Sequence, residues 1–326
     1  EQENFDKLIF AVRDIEEITI PSYITQIGSY CFENCTKLTK ITYQDDNQIQ
    51  SIGKRSFSST SIKHIKIPSN ITIIEEETFS NSLIENITIP SNVTIINEKA
   101  FYKCSKLTTI EIPSDSKLQT IGNYAFSSTS IESIKIPSNV NIIDKYAFHL
   151  CNNLTTIDIP SDSKLQAIYK DTFSCSSIKS IKIPSNITTI EEQAFYKCSE
   201  LTEIEIPPDS KLQTICKNAF TSSSIKSIKF NSSLKLIEEY AFYECKNLKK
   251  IEFPNNSALQ SFSPYVFSCT SIDQITIPPL IEQIHISSFK GCEKLKKVSY
   301  SSDAQFQKIG KDPFKYLNEE IIYDHK

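Results

Sequence analysis

A short pattern, apolar-x-x-Ile-x-Ile-Pro, recurs along almost all of this 326-residue chain, and it constrains the fold more than any other feature. Its first apolar residue falls at Ile15, Leu38, Ile62, Ile84, Leu107, Ile131, Leu154, Ile178, Leu201, Ile225, Leu248, Ile272 and Leu295, at steps of 22 to 24 residues. Self-similarity at such a period is the mark of a repeat array. A shorter unit such as Ile131–Asn153 alternates with a longer one such as Leu107–Ser130, strictly so from Ile84 onward. The alternation breaks once, where Ile62 and Ile84 open two short-type units in succession. The chain is therefore read as one array, not as the two domains its length suggests.

Each unit has a physical reading. Ile-x-Ile places both side chains on one face, as in a short strand. Pro follows in ten of the thirteen units. It has no N–H to give a ladder and closes the strand. Ser-Asn or Ser-Asp beside it makes a turn. A second apolar pair follows, such as Val93 and Ile96, then a segment ending in an in-phase Phe, from Phe32 to Phe314. The small residue before that Phe, often Ala as at Ala100 and Ala125, predicts a one-turn helix or 3₁₀ segment. No single unit buries its apolar face, so stacking is required, with strands roughly 4.8 Å apart. Residues 1–14, with Leu8, Phe10 and Val12 alternating, are expected to form an N-terminal cap strand. Residues 15–317 form the solenoid, and 318–326, with Ile321 and Tyr323, a terminal strand.

Composition narrows the function classes. Apolar residues make up 39%, charged residues 23%, and the net charge is −4. This excludes disorder and a strongly basic nucleic-acid binder. Five glycines leave little for phosphate loops, and no apolar run is long enough to span a bilayer. No hydrolase, P-loop or dinucleotide fingerprint is present.

The same residues, apolar-x-x-Ile-x-Ile-Pro, then Ile, then Ala-Phe-x-x-Cys at 23-residue spacing, resemble the BspA-like (Treponema pallidum-type) leucine-rich-repeat family over residues 15 to about 317. The resemblance implies an α/β to mainly β solenoid, a right-handed leucine-rich-repeat superhelix of about 13 repeats with its parallel sheet on the concave face. It also implies a surface protein attaching to host cells or extracellular matrix, and it supplies no catalytic residue.

The residue between the two Ile of each strand is expected to face solvent. That column includes Thr42, Lys66, Thr88, Glu111, Lys135, Asp158, Lys182, Glu205, Lys229, Glu252 and Ser299, and its sign alternates from Glu111 to Glu252. It reads either as a self-neutralising ladder or as a recognition strip. Two residues earlier stand Lys40, His64, Asn86 and Thr109, without regular pattern. The out-of-pattern stretch from Lys40 to Asn86, with Tyr43, Asp45, Asp46 and His64, is the first place to expect a partner-binding patch.

Ten Cys are present. Cys35, Cys104, Cys151, Cys198, Cys245 and Cys292 share one repeat position, and Cys175 and Cys269 are read as its equivalent in the longer units. Most are two coils apart, too far for disulfides, so a column of buried free thiols is expected. Runs such as Cys151, Cys175 and Cys198 leave closer pairs open. No second ligand pair accompanies Cys31 and Cys35, so no zinc site is expected. The four His fall at different repeat positions. Eight Asn-x-Ser/Thr sequons, at Asn34, Asn70, Asn86, Asn92, Asn153, Asn186, Asn231 and Asn255, several in the Pro-Ser-Asn turn, favour export.

The sequence thus predicts a non-enzymatic, cofactor-free cell-surface or secreted protein. Its partner is a host or matrix protein or another surface protein, neither nucleic acid nor membrane. The alternative is an intracellular scaffold of the same fold.

Overall fold

A computed structural model describes residues 6–300, 314 and the backbone of 322–325. The chain forms two compact units, Glu1–Lys164 and Leu165–Lys326. Each is a parallel-strand β-solenoid whose coils carry three stacked columns.

The first column is the Ile-x-Ile strand. In the first unit it comprises Glu17–Ile20, Lys40–Tyr43, Asn86–Thr88, Thr109–Glu111, Ser133–Lys135 and Thr156–Asp158. In the second it comprises Ser180–Lys182, Glu203–Glu205, Ser227–Lys229, Lys250–Glu252, Gln274–Ile277 and Lys297–Tyr300, with Ile322–His325 paired onto the last. The second column is a two-residue strand per coil, such as Ile95–Ile96 and Thr120–Ile121, and every pairing is parallel. Ile110, Ile134 and Ile157 of the first column, and Ile96, Ile121 and Ile143 of the second, are buried toward the core.

The third column is the Phe wall. All thirteen in-phase Phe are buried. In the first unit Phe32, Phe57, Phe79, Phe101, Phe126 and Phe148 stack with centroids 5.2–5.6 Å apart and planes within 12°. In the second unit the run from Phe173 to Phe314 stacks at 5.1–5.8 Å. Burying each ring contributes about 1.5–3 kcal/mol.

The predicted helical turn before Phe is not formed, so the fold is mainly β rather than α/β: no helix occurs among the described residues. Main-chain direction alternates there instead. From Phe32 to Phe267 the residues two before and two after Phe adopt positive φ, as at Tyr124 (54°) and Ser128 (59°) around Phe126. Tyr124, Phe126 and Ser128 donate N–H to Lys145, Ala147 and His149 of the next coil, at 3.1, 2.9 and 2.8 Å. The residues between bond backward within their own coil, as Ser127 N–H does to Tyr124 O (3.1 Å). Left-handed backbone costs about 1–2 kcal/mol per residue. The inter-coil bonds and the Phe stack offset that cost, and a helix would point every N–H along the coil instead of across it.

Residues 1–5 of the expected cap lie outside the described residues; among the described residues 6–14 the strand is Lys7–Leu8, which pairs with Gln26–Ile27 of the second column. Phe10 and Val12, which their alternation placed on the edge, face solvent. Ala11 is buried instead, its N–H donating to Cys31 O (3.1 Å). Ile321 lies outside the described residues.

Candidate functional site

Side chains at the strand centres point outward because the flanking Ile point inward. Glu111, Lys135, Asp158, Lys182, Glu205 and Lys229 are exposed, with Thr109 beside them. Glu252 and Thr42 are half-buried, and Ser299 is buried at 4% exposure, against the expectation for that column. Register places Lys135 opposite Asp158, Lys182 opposite Glu205, and Lys229 opposite Glu252. Only Lys182 and Glu205 close to an ion pair, at 2.9 Å. Glu252 turns to Lys250 of its own strand, and that contact holds its carboxyl below the usual range.

Step length governs how these strands pair. Within each unit every 23-residue step is laddered: Glu17–Ile20 to Lys40–Tyr43, Asn86–Thr88 to Thr109–Glu111, and Ser133–Lys135 to Thr156–Asp158 in the first unit. The second unit repeats this, Ser180–Lys182 with Glu203–Glu205, Ser227–Lys229 with Lys250–Glu252, and Gln274–Ile277 with Lys297–Tyr300. Of the 24-residue steps within a unit, Thr109 to Ser133 keeps a single pair, and the others leave their strands in separate sheets. The 24-residue step is two residues longer before Phe and one shorter after it: seven residues lead from Phe220 to Ser227, eight from Phe195 to Glu203.

A 24-residue step leads into residues 62–67 and the 22-residue step leads out of them, each with seven residues from Phe to the next strand position, Phe57 to His64 and Phe79 to Asn86. Residues 62–67 consequently form no strand and pair with neither Lys40–Tyr43 nor Asn86–Thr88. Here lies a groove of about 610 Å³ lined by His64, Ile65, Lys66, Asn86, Ile87 and Thr88, with Ile67, Ser69 and Pro90 beside them. His64 Nδ1 meets Asn86 Oδ1 at 3.3 Å, and Thr88 Oγ1 donates to Glu111 at 3.1 Å. The structure thus brings together four of the predicted residues, His64, Lys66, Asn86 and Thr88. Lys40 is turned away, paired with Glu17 at 3.5 Å. Thr42 shares a 2.8 Å hydrogen bond with Thr19, and Tyr43, Asp45 and Asp46 do not line the groove.

A second polar column escaped the sequence reading. Three residues before Phe, Lys54 pairs with Glu76 (2.7 Å), Lys170 with Glu192 (2.8 Å) and Lys217 with Glu239. One position earlier, Glu191 and Glu238 accept the Lys170 and Lys217 N–H groups at 3.0 and 2.8 Å. The acidic pairs at Glu191-Glu192 and Glu238-Glu239 were the available signal. Among the described residues no group of three His, Cys, Asp or Glu gathers as for a metal, and no helix is long and apolar enough to cross a membrane.

The profile for the BspA type leucine-rich repeat region, in six copies, matches residues 3–120, 119–232 and 194–320. The chain belongs to the BspA-type leucine-rich-repeat family. It is similar to a leucine-rich-repeat protein from Bacteroides ovatus, at 27% identity and TM-score 0.79, over 96% of this chain and 84% of that one. A leucine-rich-repeat protein from Eubacterium ventriosum matches at 25% identity and TM-score 0.56, over 85% and 77%. The pneumococcal vaccine antigen PcpA shares the fold, at 20% identity and TM-score 0.55, over 95% and 79%. No curated protein sequence matches the chain.

In this BspA-type chain all ten Cys are free. Cys104, Cys151, Cys198, Cys245 and Cys292, three residues after Phe, donate Sγ–H to the Phe carbonyl of the preceding coil at 3.0–3.1 Å. Each also meets a Ser or Thr hydroxyl at the same position of that coil, as Cys151 meets Thr129 at 3.4 Å. Burial pushes these thiols up, to about 12 for Cys104, Cys198 and Cys245 and about 11 for Cys151 and Cys292. Cys175 and Cys269 are not their equivalents. They stand two residues after Phe, at positive φ and half-exposed, while Ser176 and Thr270 hold the inner position.

Proposed function

We propose that this chain is a non-enzymatic binding protein that acts at a cell surface or after secretion, holding host, matrix or neighbouring surface proteins through its first-column strand face. The observation that carries the reading is the outward row of polar side chains held at strand spacing by a stack of buried Phe. Such a face makes many weak contacts whose sum gives affinity. The sequons at Asn70 and Asn153, both exposed, support export.

The test has two parts. Labelling intact source cells with a membrane-impermeant biotin reagent should mark the protein, and absence of label would favour the intracellular scaffold. Purified chain should adhere to immobilised matrix or host-cell surface proteins, and joint charge reversal of Lys135, Lys182 and Lys229 should weaken that adhesion. Adhesion unchanged by the reversal would remove the strand face from the reading.

A further inference from the structure

We infer that the groove between residues 62–67 and Asn86–Thr88 is a carboxylate-binding subsite that takes an acidic side chain from an extended segment of a protein partner. This deepens the proposed function and rests on it.

Ile89 N–H donates to Glu111 O at 2.8 Å, so residues 87 and 89 serve the strand Thr109–Glu111. Alternate residues of a parallel strand serve opposite neighbours, which directs the main-chain groups of Asn86 and Thr88 toward residues 62–67. There the ladder stops after one bond, Glu85 N–H to Lys63 O at 3.0 Å. The N–H groups of Ile65 and Ile67, which lie outside any strand, donate to no main-chain carbonyl among the described residues, and the carbonyls of His64, Ile65 and Lys66 accept from no main-chain N–H. The opening therefore offers an incoming segment main-chain donors and acceptors, and charge decides which side chain it takes.

The strand-centre lysines Lys135, Lys182 and Lys229 each face an acid in register. Lys66 does not: its column neighbours are Thr42 and Thr88, and it makes no ion pair among the described residues. Two acids stand at the rim of the groove, and both are already engaged. Glu85 pairs with Lys63 at 3.1 Å and stands 4.0 Å from His64, and Glu111 accepts from Thr88. An unneutralised ammonium beside unused N–H groups selects an anionic acceptor.

The floor of Ile65, Ile67 and Ile87 is buried, and Phe57 and Phe79 of the two coils remain stacked at 5.5 Å. A whole strand therefore has no room to enter between the coils, whereas a side chain does. The partner segment lies across the opening and sends one carboxylate in.

The probe is a fluorescein-labelled peptide alternating threonine and glutamate, titrated into the whole chain by anisotropy, with the lysine counterpart and a sulfated oligosaccharide as comparators. The acidic peptide should bind, the basic one should not, and Lys66→Gln and Lys66→Glu should each weaken binding by about tenfold or more. Lys135→Gln should leave it unchanged. Amide exchange at Ile67 and Thr88, read by NMR, should slow on peptide addition. The inference is overturned by equal binding of both peptides, by binding of the sulfated sugar alone, by insensitivity to Lys66, or by unchanged exchange at those amides. Adhesion of the whole chain is measured separately. Adhesion that persists while the peptide fails to bind removes the subsite and leaves the broader reading standing.

Discussion

Replacing Phe195 by Ala tests whether the stacked rings hold each unit together. Phe195 is fully buried and lies between Phe173 at 5.4 Å and Phe220 at 5.1 Å, nearly parallel to the latter at 4°. Truncating a buried Phe costs about 3–5 kcal/mol in transfer and cavity terms. Loss of two ring contacts, each worth roughly 0.5–1.5 kcal/mol, places this site at the upper end. In a repeat array the loss falls mainly on a coil and its neighbours, so a single global midpoint understates it. Hydrogen exchange is therefore the assay, followed at the N–H groups of Phe173, Phe195 and Phe220, which bond to Ala194, Ala219 and Ala241 of the coils that follow them. Those amides should lose protection by about 3 kcal/mol or more. Tyr23→Ala, at a site 65% exposed, should stay within about 0.5 kcal/mol. A loss at Phe195 below about 1.5 kcal/mol, or one no larger than at Tyr23, would refute the role given to the stack.

Further outcomes follow from the geometry. Ser128→Gly should raise stability by up to about 1 kcal/mol because φ is 59° there. Ser128→Pro, which also removes the N–H donated to His149 O, should lower it by about 3 kcal/mol, both read by urea unfolding. In the native protein a thiol reagent at pH 8 should modify half-exposed Cys175 and Cys269 long before Cys104, Cys151, Cys198, Cys245 and Cys292. Those five thiols titrate near 9 when unfolded and near 11 to 12 when folded, so stability is full below pH 9 and falls as pH rises toward 12, seen as a falling melting temperature. Lys182→Glu should cost at most about 1 kcal/mol at low salt, and adding Glu205→Lys should restore it, because the pair is exposed on both sides.

The stacked architecture was legible in the sequence because Ile-x-Ile and Phe repeat in phase, and periodicity of burial needs no coordinates to be read. The turn before Phe was not. Ala before Phe suits helix and turn alike, and the choice is made by N–H groups that reach the next coil, a contact no local pattern encodes. The groove residues were partly legible, since the period break pointed to His64, Lys66 and Asn86. That the break unpairs residues 62–67 on both sides depended on comparing step lengths with main-chain bonding. Six of the ten cysteines, Cys35, Cys104, Cys151, Cys198, Cys245 and Cys292, form the buried column that their phase indicates, whereas Cys175 and Cys269 were misaligned with it by one residue. Counting from the strand hides that shift, and counting from Phe reveals it. At Asn231, a sequon by its letters, the side chain is buried and donates to Ser210 O and Leu212 O at 2.9 Å, which withdraws it from any glycan.

The rule that 23-residue steps zip and the others part has a genetic corollary. Duplicating or deleting a long–short pair preserves every seam, whereas losing one residue from the turn after Phe in a 23-residue coil parts the two strands that coil would have zipped. A lineage that drops a single turn residue thereby acquires a new cleft, with no core side chain exchanged.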